Sequence, residues 1–490
     1  MVRRGDAISA VLIATVLGAA GCGSHDGEPH PLIELSPCTV PGVRAPARCG
    51  TVRVHEDRAR KEGRTIDLQV VVVPALAASP KPDPIFFLAG GPGQAATQIV
   101  GFALGAADRL RETRDFVFVD QRGTGGSHAL FCEVPGDDAP LAERFDSTFE
   151  PGAIERCRDD QEADLRLYGT SVAVEDLDAV REALGYSKIN LWGTSYGTRM
   201  GLAYLRAHGD RVRSAVLDGV APLSLYLPLS IPKDGERALE QLFADCAADP
   251  ACAAAFPDLR GRFLTFVARL ADDPIRATVS HPTTGAREEI ELDRHTFLSA
   301  LRGMLYLAEL SALVPLALDR AMAGDLSPFV TIAMTLGSSM ERSFATGMFL
   351  SVVCTEDVPF FRPGDVEREA AGTLLGPEPV REIVRACALW PKGEVPAGFR
   401  DPVESDVPAL LMSGALDPVT PPSWAEDAKR GLRRSASVVF SGTGHNAATT
   451  ACAKRVAAAF VERGSPDDLD TACASEIPRP RFFTTFAGPR

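Results

Sequence analysis

The chain has 490 residues, 45% apolar and 24% charged, with 51 basic against 65 acidic side chains and a formal charge of −14. That composition supplies a large core and excludes global disorder. With no basic run to offset the acidic balance, it also argues against a nucleic-acid partner.

Arg3 and Arg4 precede an apolar run from Ala7 to Ala20, followed by Gly21-Cys22. A run of about 14 residues falls short of the roughly 20 needed to span a bilayer, so 1–21 reads as a signal peptide and 22–37, small and polar after Cys22, as a tether. Ala19-Ala20-Gly21-Cys22 resembles the lipobox of bacterial lipoproteins, with Ala19 where Leu is usual. The expectation is a lipid anchor on Cys22, with simple cleavage to a soluble secreted or periplasmic protein as the alternative.

Thr51–His55 and Ile66–Val73 read as an opening strand pair. Ile85–Leu88 and Phe116–Val119 are short continuous apolar runs of the kind buried parallel strands show, each ending in a Gly-rich or Asp-led loop. After the first comes Ala89-Gly90-Gly91-Pro92-Gly93, and after the second Asp120-Gln121-Arg122-Gly123-Thr124-Gly125, whose charged pair reads as a loop brace. A helix over Val172–Leu184 is stopped by Gly185, and strand Ile189–Trp192, helix Tyr196–Ala207 and strand Arg213–Leu217 follow. This alternation predicts an α/β fold with a mainly parallel sheet. Near Pro222 it gives way to a mainly helical block, with helices over Glu236–Ala247, Leu259–Leu270, Thr296–Leu307 and Leu313–Ala323. It resumes at Val407–Ser413, Ser423–Leu432, Val438–Ser441 and Ala451–Arg463. The predicted organisation is an α/β core interrupted in sequence: its first segment covers 38–221, an inserted helical cap 222–395, and its second segment 396–490.

Gly193-Thr194-Ser195-Tyr196-Gly197, between a strand and a helix, has the form of a nucleophile elbow that lifts a serine hydroxyl clear of the backbone. A serine needs a base, and the base a carboxylate, in the chain order serine, acid, histidine. Among the downstream histidines, His208 lies in a helix-to-strand connection and His281 and His295 in the inserted block. His445, in Gly442-Thr443-Gly444-His445 straight after a strand, is the expected base. Asp417, in the loop after the preceding strand, is the expected acid, with Asp218 in Leu217-Asp218-Gly219 as its competitor. The backbone N–H groups of Gly91 and Tyr196 are the expected oxyanion donors. No zinc spacing, HExxH or Rossmann glycine pattern calls for a metal or organic cofactor.

Eleven cysteines leave ten once Cys22 is set aside. In an oxidising compartment the simplest reading is five local disulfides: Cys38–Cys49, Cys132–Cys157, Cys246–Cys252, Cys354–Cys387 and Cys452–Cys473. Spacing does not fix connectivity, and other pairings stay open.

GGPG at 90–93, DQRGTGGS at 120–127, GTSYGTRMGLAYL at 193–205, LDPVTPP at 416–422 and GTGH at 442–445 together resemble the prolyl and tripeptidyl aminopeptidase-like α/β-hydrolases, closest to the secreted bacterial tripeptidyl type. The resemblance covers about 50–475 and is weak in the inserted block. Ala89 departs from the prolyl branch, which usually has His before GGPG. The resemblance implies an α/β-hydrolase fold, a helical cap, and cap-side acidic residues that hold the substrate's free α-amino group, here Glu356 and Asp357 in Cys354-Thr355-Glu356-Asp357. The expected function is an exported serine aminopeptidase acting on peptides with a free N-terminus. An esterase on the same residues is the alternative, and a non-catalytic surface binding protein a more remote one.

Overall fold

The computed structural model describes residues 33–145, 149–341 and 344–489. The signal segment 1–21, Cys22 and the start of the tether lie outside the described residues. Among those described, no helix is long and apolar enough to cross a membrane.

Eleven strands occur among the described residues: β1 (Ser36–Cys38), β2 (Ala47–His55), β3 (Thr65–Val73), β4 (Ile85–Leu88), β5 (Phe116–Val119), β6 (Ile189–Thr194), β7 (Val212–Asp218), β8 (Ile275–Ser280), β9 (Arg287–Leu292), β10 (Ala409–Gly414) and β11 (Ser435–Phe440). Nine form one sheet in the order β1-β2-β3-β5-β4-β6-β7-β10-β11. The first three pair antiparallel, and β5 to β11 run parallel across the rest. β4, β6 and β10 are buried at every residue, as strands covered on both faces must be, and their sequences are correspondingly free of charge.

One face is covered by helices Thr170–Ala183 and Tyr196–His208, through Val174, Leu177, Val180, Leu202 and Leu205. The other is covered by Val100–Ala106 and Ala451–Arg463, through Val100, Ala103, Val456 and Phe460. The chain leaves β4 for β5 on one side and returns to β6 on the other, so the strand order reverses beside β4. At such a reversal the loops leaving the carboxyl ends of the strands diverge and leave a crevice.

Among the described residues between Asp218 and Ala409, no strand joins the large sheet. This segment has a core of its own, in which Phe243, Phe263, Phe266, Phe297 and Phe329 pack together and the Phe297 and Phe329 rings stack 4.2 Å apart. It is mainly helical, and it also contains the β8–β9 hairpin, which the sequence reading did not anticipate. Most β8 and β9 side chains are exposed or half-buried and polar, and Arg276 pairs with Glu291 at 2.9 Å across the strands. Its apolar face is short: Ile275, Ala277, Val279, Ile290 and Leu292 alternate with polar residues over only six positions in each strand, within a long run of helical segments.

Ten cysteines form the disulfides Cys38–Cys49, Cys132–Cys157, Cys246–Cys252, Cys354–Cys387 and Cys452–Cys473.

Candidate active site

Ser195 sits between β6 and helix Tyr196–His208 with φ 54° and ψ −125°, a backbone conformation that a side chain rarely tolerates. The turn closes because its flanking positions lack side chains. A Cβ on Gly197 would lie 2.1 Å from the Leu88 carbonyl oxygen, and one on Gly193 would lie 2.5 Å from that of Gly197. The Ser195 N–H donates to the Asp218 carbonyl at 2.9 Å, which ties the elbow to the end of β7. The Thr198 hydroxyl donates to the Ser195 carbonyl at 2.6 Å and accepts from the Ala221 N–H at 2.7 Å.

The loop after β4 lies against this turn: a Cβ on Gly90 would be 3.2 Å from Ser195 Cβ. Gly91 and Gly93 have φ of 109° and 116°. Gly93 also meets the inserted segment, its carbonyl accepting from the Ala345 N–H at 2.9 Å. Gly91 is therefore on a loop alongside Ser195, and Tyr196 is the first residue of a helix whose opening N–H groups have no intrahelical partner.

The acid and base come from the loops after β10 and β11. Asp417 Oδ2 accepts from His445 Nδ1 at 2.8 Å and from the Thr420 hydroxyl at 2.8 Å. Oδ1 accepts from the N–H groups of Val419 and Thr420 at 2.7 and 2.9 Å. Burial pushes the Asp417 carboxyl up, but the charge and hydrogen bond of His445 and these amides outweigh it and hold the group below its ordinary value. For His445, burial pulls down, while Asp417 and then Asp218 lift it above its ordinary value; Arg302 opposes them. With Nδ1–H given to Asp417, Nε2 is the nitrogen left to accept a proton. The hydrogen bond that would close the relay, Ser195 Oγ to His445 Nε2, is not made here; such contacts commonly tighten only around bound substrate.

Asp218, the competing acid, does not touch the imidazole. Its fully buried carboxylate accepts from the N–H groups of Ala447 and Ala448 at 2.8 and 3.0 Å, and burial pushes it up to about 6. It braces the turn that follows His445 while its own carbonyl holds Ser195. Gly219 then passes beneath the imidazole, where a Cβ would lie 3.2 Å from His445 Cε1.

The inserted segment grips the same loops. The Tyr306 carbonyl accepts from the His445 N–H at 2.8 Å, and its ring stands edge-on to the imidazole with centroids 5.5 Å apart. Arg237 donates to the carbonyls of Ala415 and Asp417.

Glu356 and Asp357, which the resemblance implied as holders of a substrate amine, are buried and already partnered. Asp357 is wholly buried between Arg199 and Arg400, at 3.2 and 3.1 Å. Glu356 accepts from the Thr170 N–H and from its hydroxyl at 2.5 and 2.8 Å, capping helix Thr170–Ala183, and burial pushes it up to about 7. The Thr170 hydroxyl also meets the Tyr196 hydroxyl at 2.7 Å. Carboxylates already satisfied by arginines and amides fasten the inserted segment to the core rather than receive an ammonium.

Asp120 accepts from Thr97 N–H, Thr97 hydroxyl and Gly126 N–H at 2.8, 3.0 and 2.9 Å, and Arg122 makes a bidentate pair with Asp176 at 2.6 and 2.9 Å. These two brace the loops beside the elbow. Sequence reasoning missed Thr420, Arg237, Tyr306 and Thr170. Of these, Thr420 alone carried a local signal, three residues after Asp417 where a hydroxyl and amide fold back onto a carboxylate. Among the described residues no three His, Cys, Asp or Glu side chains converge as a metal site.

The family model for the alpha/beta hydrolase fold matches residues 83–450. The serine protease Hip1 of Mycobacterium tuberculosis is 26% identical over 464 residues, covering 84% of this chain and 85% of the relative. The tripeptidyl aminopeptidase of Streptomyces lividans is 29% identical over 194 residues, covering 36% of this chain and 35% of the relative. The proline iminopeptidase of Neisseria gonorrhoeae is 30% identical over 145 residues, covering 29% and 34%. With the sheet order, the elbow and these matches in hand, the chain belongs to the α/β-hydrolase fold family, as a serine hydrolase whose relatives include peptidases.

Proposed function

We propose that the protein is an exported serine aminopeptidase of the tripeptidyl or prolyl type, acting through an acyl-enzyme. Ser195 attacks the scissile carbonyl carbon while His445 Nε2 takes its proton. The oxyanion forms against the N–H groups of Gly91 and Tyr196. His445 then protonates the leaving amine, which leaves the peptidyl group as an ester on Ser195. His445 next takes a proton from water as it attacks that ester and returns it to Ser195 Oγ as the C–Oγ bond breaks and the peptide departs with a free carboxylate. Asp417 holds the imidazole in the tautomer this needs and stabilises its charged form. Residues 222–395 act as the cap that selects the substrate. The observation that carries the reading is the Asp417–His445 pair tied through Asp218 to a strained serine elbow at the switch point of the sheet.

Five disulfides suit an oxidising compartment and support export. Together with the signal segment they support a cell-envelope location with a lipid on Cys22, which leaves no odd thiol among the 11 cysteines. Mass spectrometry of the membrane-extracted mature protein tests the anchor: a diacylglyceryl mass on an N-terminal Cys22 is expected, and an unmodified N-terminus elsewhere would remove it.

The activity is tested with Ala-Ala-Ala-p-nitroanilide against its N-acetylated form. The proposal expects kcat/KM to fall by about 100-fold or more on acetylation, the scale on which a lost charged hydrogen bond in a desolvated site acts. Equal rates would replace the aminopeptidase with an acyl hydrolase indifferent to the amine.

A further inference from the structure

Arg302, on helix Arg294–Met304 of the inserted segment, is not used by the mechanism above. Its guanidinium lies 5.6 Å above the Tyr306 ring, and that ring is the one standing edge-on to His445. Its stem is fixed against helix Ile231–Ala248, where a Cβ on Gly235 would lie 3.2 Å from Arg302 Cδ. Its Nε is buried without a hydrogen-bond partner, and its guanidinium makes no hydrogen bond or ion pair among the described residues. Neighbouring arginines behave differently. Arg294 donates to the Leu374 carbonyl, Arg260 pairs with Glu240 and Arg262 with Asp319.

A guanidinium whose Nε is buried without a partner is unfavourable, and its charge also opposes that of a base that must become a cation. Packed against His445 are Asp417, Thr420, Gly219 and Tyr306; the charges of Asp417 and Asp218 favour the imidazolium, and burial and the charge of Arg302 oppose it. An anion delivered by the substrate would remove both penalties. The side of the cleft follows from the chemistry: His445 hands its proton to the leaving nitrogen, so groups stacked around the imidazole border the leaving half of the substrate. The acyl half lies by the oxyanion loop, where Phe344 and Ala345 pack on Gly91 and Gly93.

We propose that Arg302 is a subsite for a carboxylate on the leaving side of the substrate, which makes the preferred substrates short peptides ending close to the scissile bond or peptides acidic just after it. This rests on the aminopeptidase reading for the kind of substrate but not for the site. A planar guanidinium suits a carboxylate through two parallel hydrogen bonds.

The test compares Ala-Ala-Ala-Gly as the free acid, Ala-Ala-Ala-Gly amide and Ala-Ala-Ala-Asp amide on the wild-type chain, Arg302→Met and Arg302→Lys. The readout is the kcat/KM ratio of each acidic peptide to the neutral amide within one enzyme, so a general loss of activity cancels. The wild type is expected to favour a carboxylate by about tenfold, the scale of a partly solvated charged pair. Arg302→Met should bring the ratio to about one, and Arg302→Lys should keep some of it. Preference for the free acid alone places the carboxylate at the peptide terminus, and preference for Asp amide alone places it on the side chain.

On the neutral amide, Arg302→Met should also move the acid limb of kcat/KM to higher pH, because the charge that held the His445 pKa down is gone. A merely structural arginine would leave that limb in place. A wild type indifferent to the carboxylate, or a preference that survives Arg302→Met, overturns the proposal, and the first needs no variant to fold. If no peptide is cleaved, the aminopeptidase reading fails separately. The same ratio is then read with 4-acetoxybenzoate against 4-acetoxybenzamide, and a ratio of one in the wild type again overturns the Arg302 subsite.

Discussion

The two halves of the candidate site are held by different means. The Ser195 half is closed by backbone fits at the strand ends: Gly197 leaves room for the Leu88 carbonyl and Gly193 for that of Gly197, the end of β7 takes the Ser195 N–H, and Ala345 of the inserted segment meets Gly93 beside it. The Asp417–His445 half depends on side chains and carbonyls from far along the chain: Asp218 under the turn after His445, Tyr306 on the His445 N–H, and Arg237 on the Asp417 loop. The nucleophile is preformed by backbone sterics. The base is placed by polar contacts, from Asp218 in the core and from Tyr306 and Arg237 in the inserted segment, so the inserted segment bears on the base through hydrogen bonds and on the serine side through the packing of Ala345 and Val352 in one cluster with Tyr196.

The largest effect is expected at the centre of the first half. Ser195→Ala should lower kcat by at least about 10⁴-fold with the fold intact, measured by turnover and circular dichroism. His445→Ala should match it, and combining the two should add little, because they act as one unit. Next is Gly197→Ala, which forces a methyl group to within 2.1 Å of a backbone oxygen. A loss of about 3 kcal/mol or more of stability in denaturant melts is expected for such a clash, and a loss under about 1 kcal/mol would show that the elbow is not steric in origin.

The second half predicts smaller and separable effects. Asp218→Asn removes a negative charge that lifts the His445 pKa, so the acid limb of kcat/KM should move to lower pH while kcat at the plateau falls by about tenfold from the loosened turn. A limb that moves to higher pH would contradict the assigned electrostatics. Arg237→Ala should reduce kcat by about threefold to tenfold with little change in stability, since the lost contacts are to loop carbonyls. Activity lost and regained together with cap stability would instead make Arg237 purely structural.

The same contrast explains what was readable from the chain. Gly-Thr-Ser-Tyr-Gly after an apolar strand is a local statement, because the clash that demands each glycine lies within one turn and its neighbouring strand. Strands β4 and β5 were legible to the residue because burial on both faces leaves only apolar side chains. Asp417 and His445 were legible through loop position. Their supports were not, since Arg237 and Tyr306 are ordinary residues of the inserted segment until folding sets them on loops more than a hundred residues away. Glu356 and Asp357 were implied as amine ligands by the resemblance, and nothing local reveals that Arg199, Arg400 and Thr170 already partner them. The β8–β9 hairpin escaped notice because its alternation lasts only six residues per strand inside a mainly helical block.

The most direct test of the central claim is covalent labelling by a fluorophosphonate, with the adduct mapped by peptide mass spectrometry in the wild type and in His445→Ala. The account predicts a single adduct on Ser195 and a labelling rate that falls by about 10³-fold or more when the base is removed. An adduct on another serine, or labelling of Ser195 at the wild-type rate without His445, would contradict it.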